Sequence, residues 1–300
     1  MKDYLIFLKN SLDLDLRTIS FFPWNSRKKI EFICKKYYEI FKLKSGLKKF
    51  ILGKSHVRLF NKDIYYDSSF GLAVYQSMYA RLGKLIMKSN LKDIKTVIDI
   101  GANVGLFSLM IKDLYPKSKI YPIEPIKDTY ECLLKNLKDL ENIFPFQIAI
   151  SKISGTRYME FNKNDSLISK LIDKSIFKVK NKGIEKVKVI SKSLDDFYEN
   201  NKLKIIDLLK IDAETFELEV LQGSMKSLEK TRYVLIEITI ENNNNYTFSE
   251  LVSILYNENY NFQLIAFRNY LDKGDGVLPV GDFLFENISL LKNNQRMLFG

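Results

Sequence analysis

Three features of the sequence predict an α/β fold built on a mostly parallel sheet. From residue 95 onward, short apolar runs alternate with stretches of helical periodicity, the pattern of successive βα units. The run Val97-Ile98-Asp99-Ile100 leads into Gly101-Ala102-Asn103-Val104-Gly105, after which Leu106, Phe107, Leu109, Met110, Ile111 and Leu114 recur at helical spacing. Glu124-Pro125 follows about 20 residues beyond the glycines, the spacing of an acid at the next strand tip that reaches a ribose hydroxyl.

The elements follow in order. Strand one is Thr96–Ile100, with a helix over about 104–114. Strand two is Ile120–Glu124, with a helix from Lys127 to Leu140, and strand three is Phe144–Ile150. Residues 155–191 read as an insertion, a hairpin of Thr156–Phe161 and Lys186–Ile190. A short helix near 194–199 leads to strand four, Ile205–Ile211, and its helix over 217–228. Strand five is Tyr233–Thr239, and a helix over 248–257 leads to Phe262–Phe267 and Asp282–Asn287, an antiparallel edge. That makes seven strands with helices on both faces. Ahead of them lies a basic, mainly helical N-terminal extension, residues 1–90, with a hairpin near 55–67 and a helix from about Gly71 to Met87; the α/β domain is 91–300.

The turn after strand one has its own chemistry. Gly101 lacks a Cβ, so the chain can turn sharply and a ligand can approach the backbone. Gly105 lets the start of the following helix pack close to the sheet. The pattern is D-x-G-x-N-x-G rather than G-x-G-x-x-G. An acid just before the turn repels a pyrophosphate but suits an ammonium group, which favours S-adenosylmethionine over a dinucleotide. A plain strand-to-helix turn in a non-catalytic domain is the bland alternative.

Composition narrows the possibilities. Two cysteines, Cys34 and Cys132, and the single His56 give no disulfide framework and no zinc ligand set, so no metal is expected. The five apolar residues near the N-terminus are too few for a signal-peptide core or a membrane span, and a cytoplasmic location is the default expectation. The charge is uneven: residues 1–94 hold 19 Lys and Arg against 8 Asp and Glu, and the rest of the chain is balanced. A basic, amphipathic stretch between Lys28 and Leu52 can pack on the neighbouring domain or lie on an anionic membrane surface or lipid-linked acceptor.

A second stretch carries chemistry. The apolar run Leu208-Leu209 delivers Lys210, Asp212 and Glu214 around its C-terminal tip. Alternation places Lys210 and Asp212 on one face, and a Lys210–Asp212 or Lys210–Glu237 pair would satisfy the buried charge. A mere ion pair fixing the strand end is the alternative.

Taken together, Ile98–Gly105, Ile123-Glu124-Pro125, Leu209–Glu214 and Glu219–Gly223 resemble the FkbM family of methyltransferases in order and spacing, over roughly residues 90–290. The resemblance implies a Rossmann-like class I methyltransferase domain, S-adenosylmethionine as cofactor, and methyl transfer to a hydroxyl of a sugar, glycan or other metabolite. It implies that Asp99, Gly101, Asn103 and Gly105 form the loop at the methionine end, and that Glu124 binds the ribose. Lys210, Asp212 and Glu214 fall on the acceptor side. Two positions depart from the family pattern: Thr215-Phe216 follows Glu214 where a glycine is usual, and Lys152 follows Ala149-Ile150-Ser151 where an acid is frequent.

A hydroxyl acceptor benefits from a base. Asp212 is the first candidate, Glu214 the second and His56 the third, with Glu237 as an orienting group. Two other functions stay open. A nucleic-acid methyltransferase would use the basic N-terminus, but the sequence has no Asn/Asp-Pro-Pro-aromatic motif and no Cys beside a Pro. A membrane-peripheral or partner-binding protein would use residues 1–50.

Overall fold

The computed structural model describes residues 26, 27, 30, 34, 55–59, 62–66, 82–162, 169–172, 184–240, 245–269 and 280–290. The chain divides into two compact units, Met1–Leu91 and Lys92–Gly300. In the first, β1 (Ser55–Leu59) and β2 (Lys62–Tyr66) pair as an antiparallel hairpin, and α1 (Lys84–Lys88) is a short helix. Apart from Ile30 and Cys34, the basic amphipathic stretch of residues 28–52 lies outside the described residues, as does most of the helix expected over 71–87.

The second unit is built on a six-stranded sheet. Its strands are β3 (Thr96–Ile100), β4 (Lys119–Ile123), β9 (Ile206–Ile211), β10 (Thr231–Thr239), β11 (Phe262–Asn269) and β12 (Val280–Asn287), in the order β11-β12-β10-β9-β3-β4. The pairs β3–β4, β3–β9 and β9–β10 are parallel, and β12 runs antiparallel between β10 and β11. Strand order reverses between β3 and β9, so a crevice opens at their carboxyl ends.

The expected seventh strand does not join this sheet. Residues 143 and 146 make only isolated parallel bridges to Ile120 and Ile123. Pro145 sits between them and has no N–H to extend the ladder. Ala149–Ile150, β5, instead pairs with the insertion. That insertion is more than the expected hairpin: β6 (Gly155–Asn162), β7 (Ser169–Ile172) and β8 (Ile184–Lys192) join β5 in a four-stranded sheet ordered β5-β8-β6-β7.

Helices cover both faces of the main sheet. On one face lies α2 (Leu106–Leu114), whose Ser108 bonds Asp99 of β3. On the other, Ile98, Ile100, Leu209, Ile211, Val234 and Ile236 pack with buried residues of α4 (Leu194–Asn200), α5 (Glu217–Gln222), α6 (Met225–Leu228) and α7 (Phe248–Leu255). Each large aliphatic side chain so buried contributes about 1.5–3 kcal/mol. The helix expected over 217–228 is broken at Gly223-Ser224 into α5 and α6. The remaining helix, α3 (Lys127–Leu137), follows β4 and stops three residues short of the expected end. Thr247 and Glu250 close α7 with a capping box.

Asp207 braces the edge of the sheet opposite the crevice. Its Oδ2 accepts the backbone N–H groups of Lys95 and Thr96 at 2.9 Å, and its Oδ1 lies 2.8 Å from Arg232. One buried carboxylate thereby ties the starts of β3, β9 and β10 together. Among the described residues, no helix is long and apolar enough to cross a membrane.

Candidate active site

The site assembles where β3, β4 and β9 end. Gly101 adopts φ 69°, and a Cβ there would collide with the carbonyl oxygen of Asp212. The turn after β3 and the tip of β9 are therefore in backbone contact, sealed by the Asp212 N–H donated to the Ile100 carbonyl at 3.2 Å. Gly105 takes φ 86° as the N-cap of α2. Its close neighbour is Leu137 of α3, 3.2 Å from a would-be Cβ, so it makes room for a helix rather than for the sheet.

Glu124 fixes the turn from the side. Its Oε2 accepts the Asn103 N–H at 3.1 Å and its Oε1 the Ile126 N–H at 2.9 Å. Asn103 is left-handed at φ 50°, and its Oδ1 accepts the N–H of Val104 at 2.7 Å. Asn136 of α3 reaches back to bond the Val104 carbonyl at 2.7 Å. The expected loop residues Gly101, Asn103 and Gly105 and the acid Glu124 thus form one bonded unit.

Asp99 is the fourth expected loop residue, and it is wholly buried. Its Oδ2 accepts the Ser108 hydroxyl at 2.7 Å, and its Oδ1 lies 3.5 Å from Lys210 Nζ. Burial pushes its carboxyl above the usual range, against the pull of Lys210 and Ser108. Lys210 is only 4% exposed. Its Nζ donates to the Gly101 carbonyl at 3.0 Å and lies 3.1 Å from Asp212 Oδ2. Burial alone would lower the Lys210 ammonium, but Asp212 and then Asp99 hold it above an ordinary lysine. Lys210 therefore faces back into the turn instead of outward.

After Asp212 the chain makes a strained turn. Glu214 and Thr215 have φ 50° and 75°, left-handed values that cost a non-glycine residue about 1–3 kcal/mol each. Where the family pattern has glycine, the chain keeps a glycine-like conformation with threonine. Glu217, 2% exposed, holds it: its Oε1 accepts the N–H of Ala213 at 3.0 Å and of Thr215 at 3.1 Å. Asn245 donates from Nδ2 to the Thr215 carbonyl at 3.1 Å and to its hydroxyl at 2.9 Å.

The carboxylates around this turn perturb one another. Burial, then the neighbouring charges of Asp212, Glu237 and Glu217, push the Glu214 carboxyl up to about 9, with Lys210 only partly offsetting them. Burial pushes Glu217 up to about 7, opposed by hydrogen bonds from Tyr246 and the backbone. A Glu214 carboxyl raised in this way favours its protonated form, which can donate a hydrogen bond. His56 lies in β1, opposite Tyr65, in the other unit. Among the described residues, no group of His, Cys, Asp or Glu can hold a metal ion.

The sequence did not point to Ser108, Asn136 or Glu217, and it marked Asn245 only as part of the Asn242–Asn245 run between strand five and its helix, at the sheet end where ligands bind. Of the first three, Glu217 alone had a local signal, an acid in the first turn of a helix. Ser108, Asn136 and Asn245 act across 9 to 32 residues.

A parallel sheet whose order reverses beside a glycine turn, with an acid at the neighbouring strand tip, defines a Rossmann-like domain built to hold a nucleoside-bearing ligand. Residues 99–264 match the family model described as the methyltransferase FkbM domain, and the chain belongs to that S-adenosylmethionine-dependent family. Methyltransferase sdnD of Sordaria araneosa is 31% identical over 176 residues, spanning 50% of this chain and 68% of that one. The hexuronic acid methyltransferase AglP of Haloferax volcanii is 27% identical over 141 residues, 47% of this chain and 54% of that one. The 2-O-methyltransferase NoeI of Sinorhizobium fredii is 27% identical over 150 residues, 47% of this chain and 62% of that one.

Proposed function

We propose that this methyltransferase transfers the methyl group to a hydroxyl of a sugar or glycan. The observation that carries the reading is the Asp212 carboxylate, held 3.1 Å from the buried Lys210 ammonium at the tip of β9 and directly beside the glycine turn. Two relatives with sugar-type or 2-O names, AglP and NoeI, support it.

The residues suit the cofactor. The turn from Gly101 to Gly105 would take the methionine end, and Glu124, fixed by two backbone N–H groups, the ribose hydroxyls. The surrounding side chains are mostly acidic, which favours a ligand bearing an ammonium and a sulfonium over one bearing phosphates. S-adenosylmethionine supplies an electrophilic methyl group when bound. Asp212 accepts the proton of the acceptor hydroxyl as its oxygen becomes nucleophilic, work that contributes typically 10²–10⁴-fold. Lys210 keeps that carboxylate in place. Glu214, protonated, donates a hydrogen bond to the acceptor. Alignment of acceptor and cofactor supplies the larger share, up to about 7–11 kcal/mol in ideal cases.

Incubation with methyl-labelled S-adenosylmethionine and a panel of neutral and uronic-acid glycosides tests the reading. The expected product is a methyl ether, located by mass spectrometry. Labelling confined to nitrogen, carbon or nucleic acid would overturn it.

A further inference from the structure

Glu214 and Thr215 are consecutive non-glycine residues with positive φ, a conformation that persists only where the surroundings over-determine it. Two side chains do so here. Glu217, at the start of α5, binds the turn through the N–H groups of Ala213 and Thr215. Asn245 comes from the segment between β10 and α7, 30 residues away in sequence, and grips both the carbonyl and the hydroxyl of Thr215. On the far side, Phe216 packs on the apolar cluster of Ile126, Ala149, Met159 and Val189. Thr215 is therefore held on both flanks, and the preceding residue carries a carboxyl at the acceptor side.

We infer that Asn245 is a positioning residue: with Glu217 it clamps Thr215 in the conformation a glycine would adopt unaided, and so aims the Glu214 carboxyl at the methyl acceptor. The inference rests on the acceptor-side reading of Glu214 given above. The charges of Asp212 at the end of β9, Glu237 on β10, Glu217 on α5 and the Lys210 ammonium all act on that carboxyl. A relaxed turn withdraws it from that company. The hydroxyl of Thr215 gives the clamp its second grip, which a glycine would lack. Threonine and Asn245 thus form a matched pair: the residue that makes the turn strained also provides a handle for holding it.

The pair makes a specific genetic expectation. A clamp is needed only while residue 215 resists the left-handed conformation, so Thr215→Gly should suppress the defect of Asn245→Ala. The test uses the full chain in four forms: wild type, Asn245→Ala, Thr215→Gly and the double variant. Carbon-13 NMR of the Glu214 carboxyl follows its titration, and turnover is measured on a glycoside the wild type methylates. Asn245→Ala is expected to move the Glu214 midpoint down by about one pH unit and to lower kcat about tenfold, with the affinity for S-adenosylmethionine unchanged. The double variant is expected to behave like Thr215→Gly, close to wild type in both readouts. Asn245→Leu, which keeps the size but can neither donate nor accept a hydrogen bond, should resemble Asn245→Ala and covers the case in which the alanine variant folds poorly. An unshifted titration in both Asn245 variants overturns the inference, as does a double variant as impaired as Asn245→Ala. If the wild type methylates no glycoside, the sugar reading fails alone, because the titration still judges the clamp.

Discussion

Lys210 donates a hydrogen bond from its Nζ to the carbonyl oxygen of Gly101 at 3.0 Å. A side chain of β9 thereby holds the turn that follows β3. The same nitrogen lies between two carboxylates, Asp99 at 3.5 Å and Asp212 at 3.1 Å, so one buried cation joins the end of β3 to the tip of β9.

Removing that cation leaves Asp99 buried without its counter-ion. Lys210→Met is expected to destabilise the α/β unit by about 3–5 kcal/mol, read from urea unfolding. Adding Asp99→Asn should recover much of the loss, since the stranded charge is gone. A single variant as stable as wild type would show that the pair contributes nothing.

The proposed function gives the two acids after β9 different roles. Asp212→Asn removes the proposed base and is expected to lower kcat by about 10²–10⁴-fold. Glu214→Gln replaces one neutral hydrogen-bond donor with another, because Glu214 keeps its proton up to about pH 9. It should retain most of its activity at pH 7. Steady-state kinetics of the two variants side by side checks the assignment, and the opposite ranking would exchange their roles.

Glu217 links stability to pH. Its carboxyl is raised from 4.5 to about 7 in the folded chain, so the folded state binds the extra proton. Its contribution is fully present below pH 4.5 and is lost as pH climbs through 7, amounting to something on the order of 3 kcal/mol. Glu217→Gln keeps the acceptor oxygen without the titration. Unfolding free energies measured from pH 4.5 to 8 should decline more steeply in the wild type than in the variant, and parallel curves would refute the link.

The two glycines of the turn differ in what a methyl group would meet. At Gly101 it strikes backbone, the Asp212 carbonyl; at Gly105 it meets the end of Leu137 at 3.2 Å. Gly101→Ala is expected to abolish measurable S-adenosylmethionine binding by calorimetry, because the β3 turn and the β9 tip must part. Gly105→Ala pays for its φ of 86° with roughly 1–2 kcal/mol of stability and a smaller loss of affinity. Equal effects would mean that the backbone contact is unimportant.

Much of this was legible in the sequence because it is local. The alternation of apolar runs and helical stretches located each strand of the main sheet, and the spacing from Gly101 to Glu124 placed the crevice. Strand three was misread because its apolar content outweighed Pro145, whose missing N–H breaks the ladder. The helix after β9 was read as continuous although Gly223-Ser224 interrupts it. In the site, Lys210 and Asp212 were legible from their position at the end of an apolar strand. That Lys210 turns inward was not, because Asp99 and Gly101 stand about 110 residues away. The hold of Asn245 on Thr215 spans 30 residues and leaves no periodic trace.

Phe216 joins the turn bearing Glu214 to the small sheet of the insertion. The same cluster holds Ile126, whose N–H fixes Glu124. The insertion therefore braces both flanks of the crevice through one small apolar patch. Exchanging its strands for those of a relative would disturb the Glu214 turn and the Glu124 side together, so a workable graft has to preserve the packing of Phe216 and Ile126.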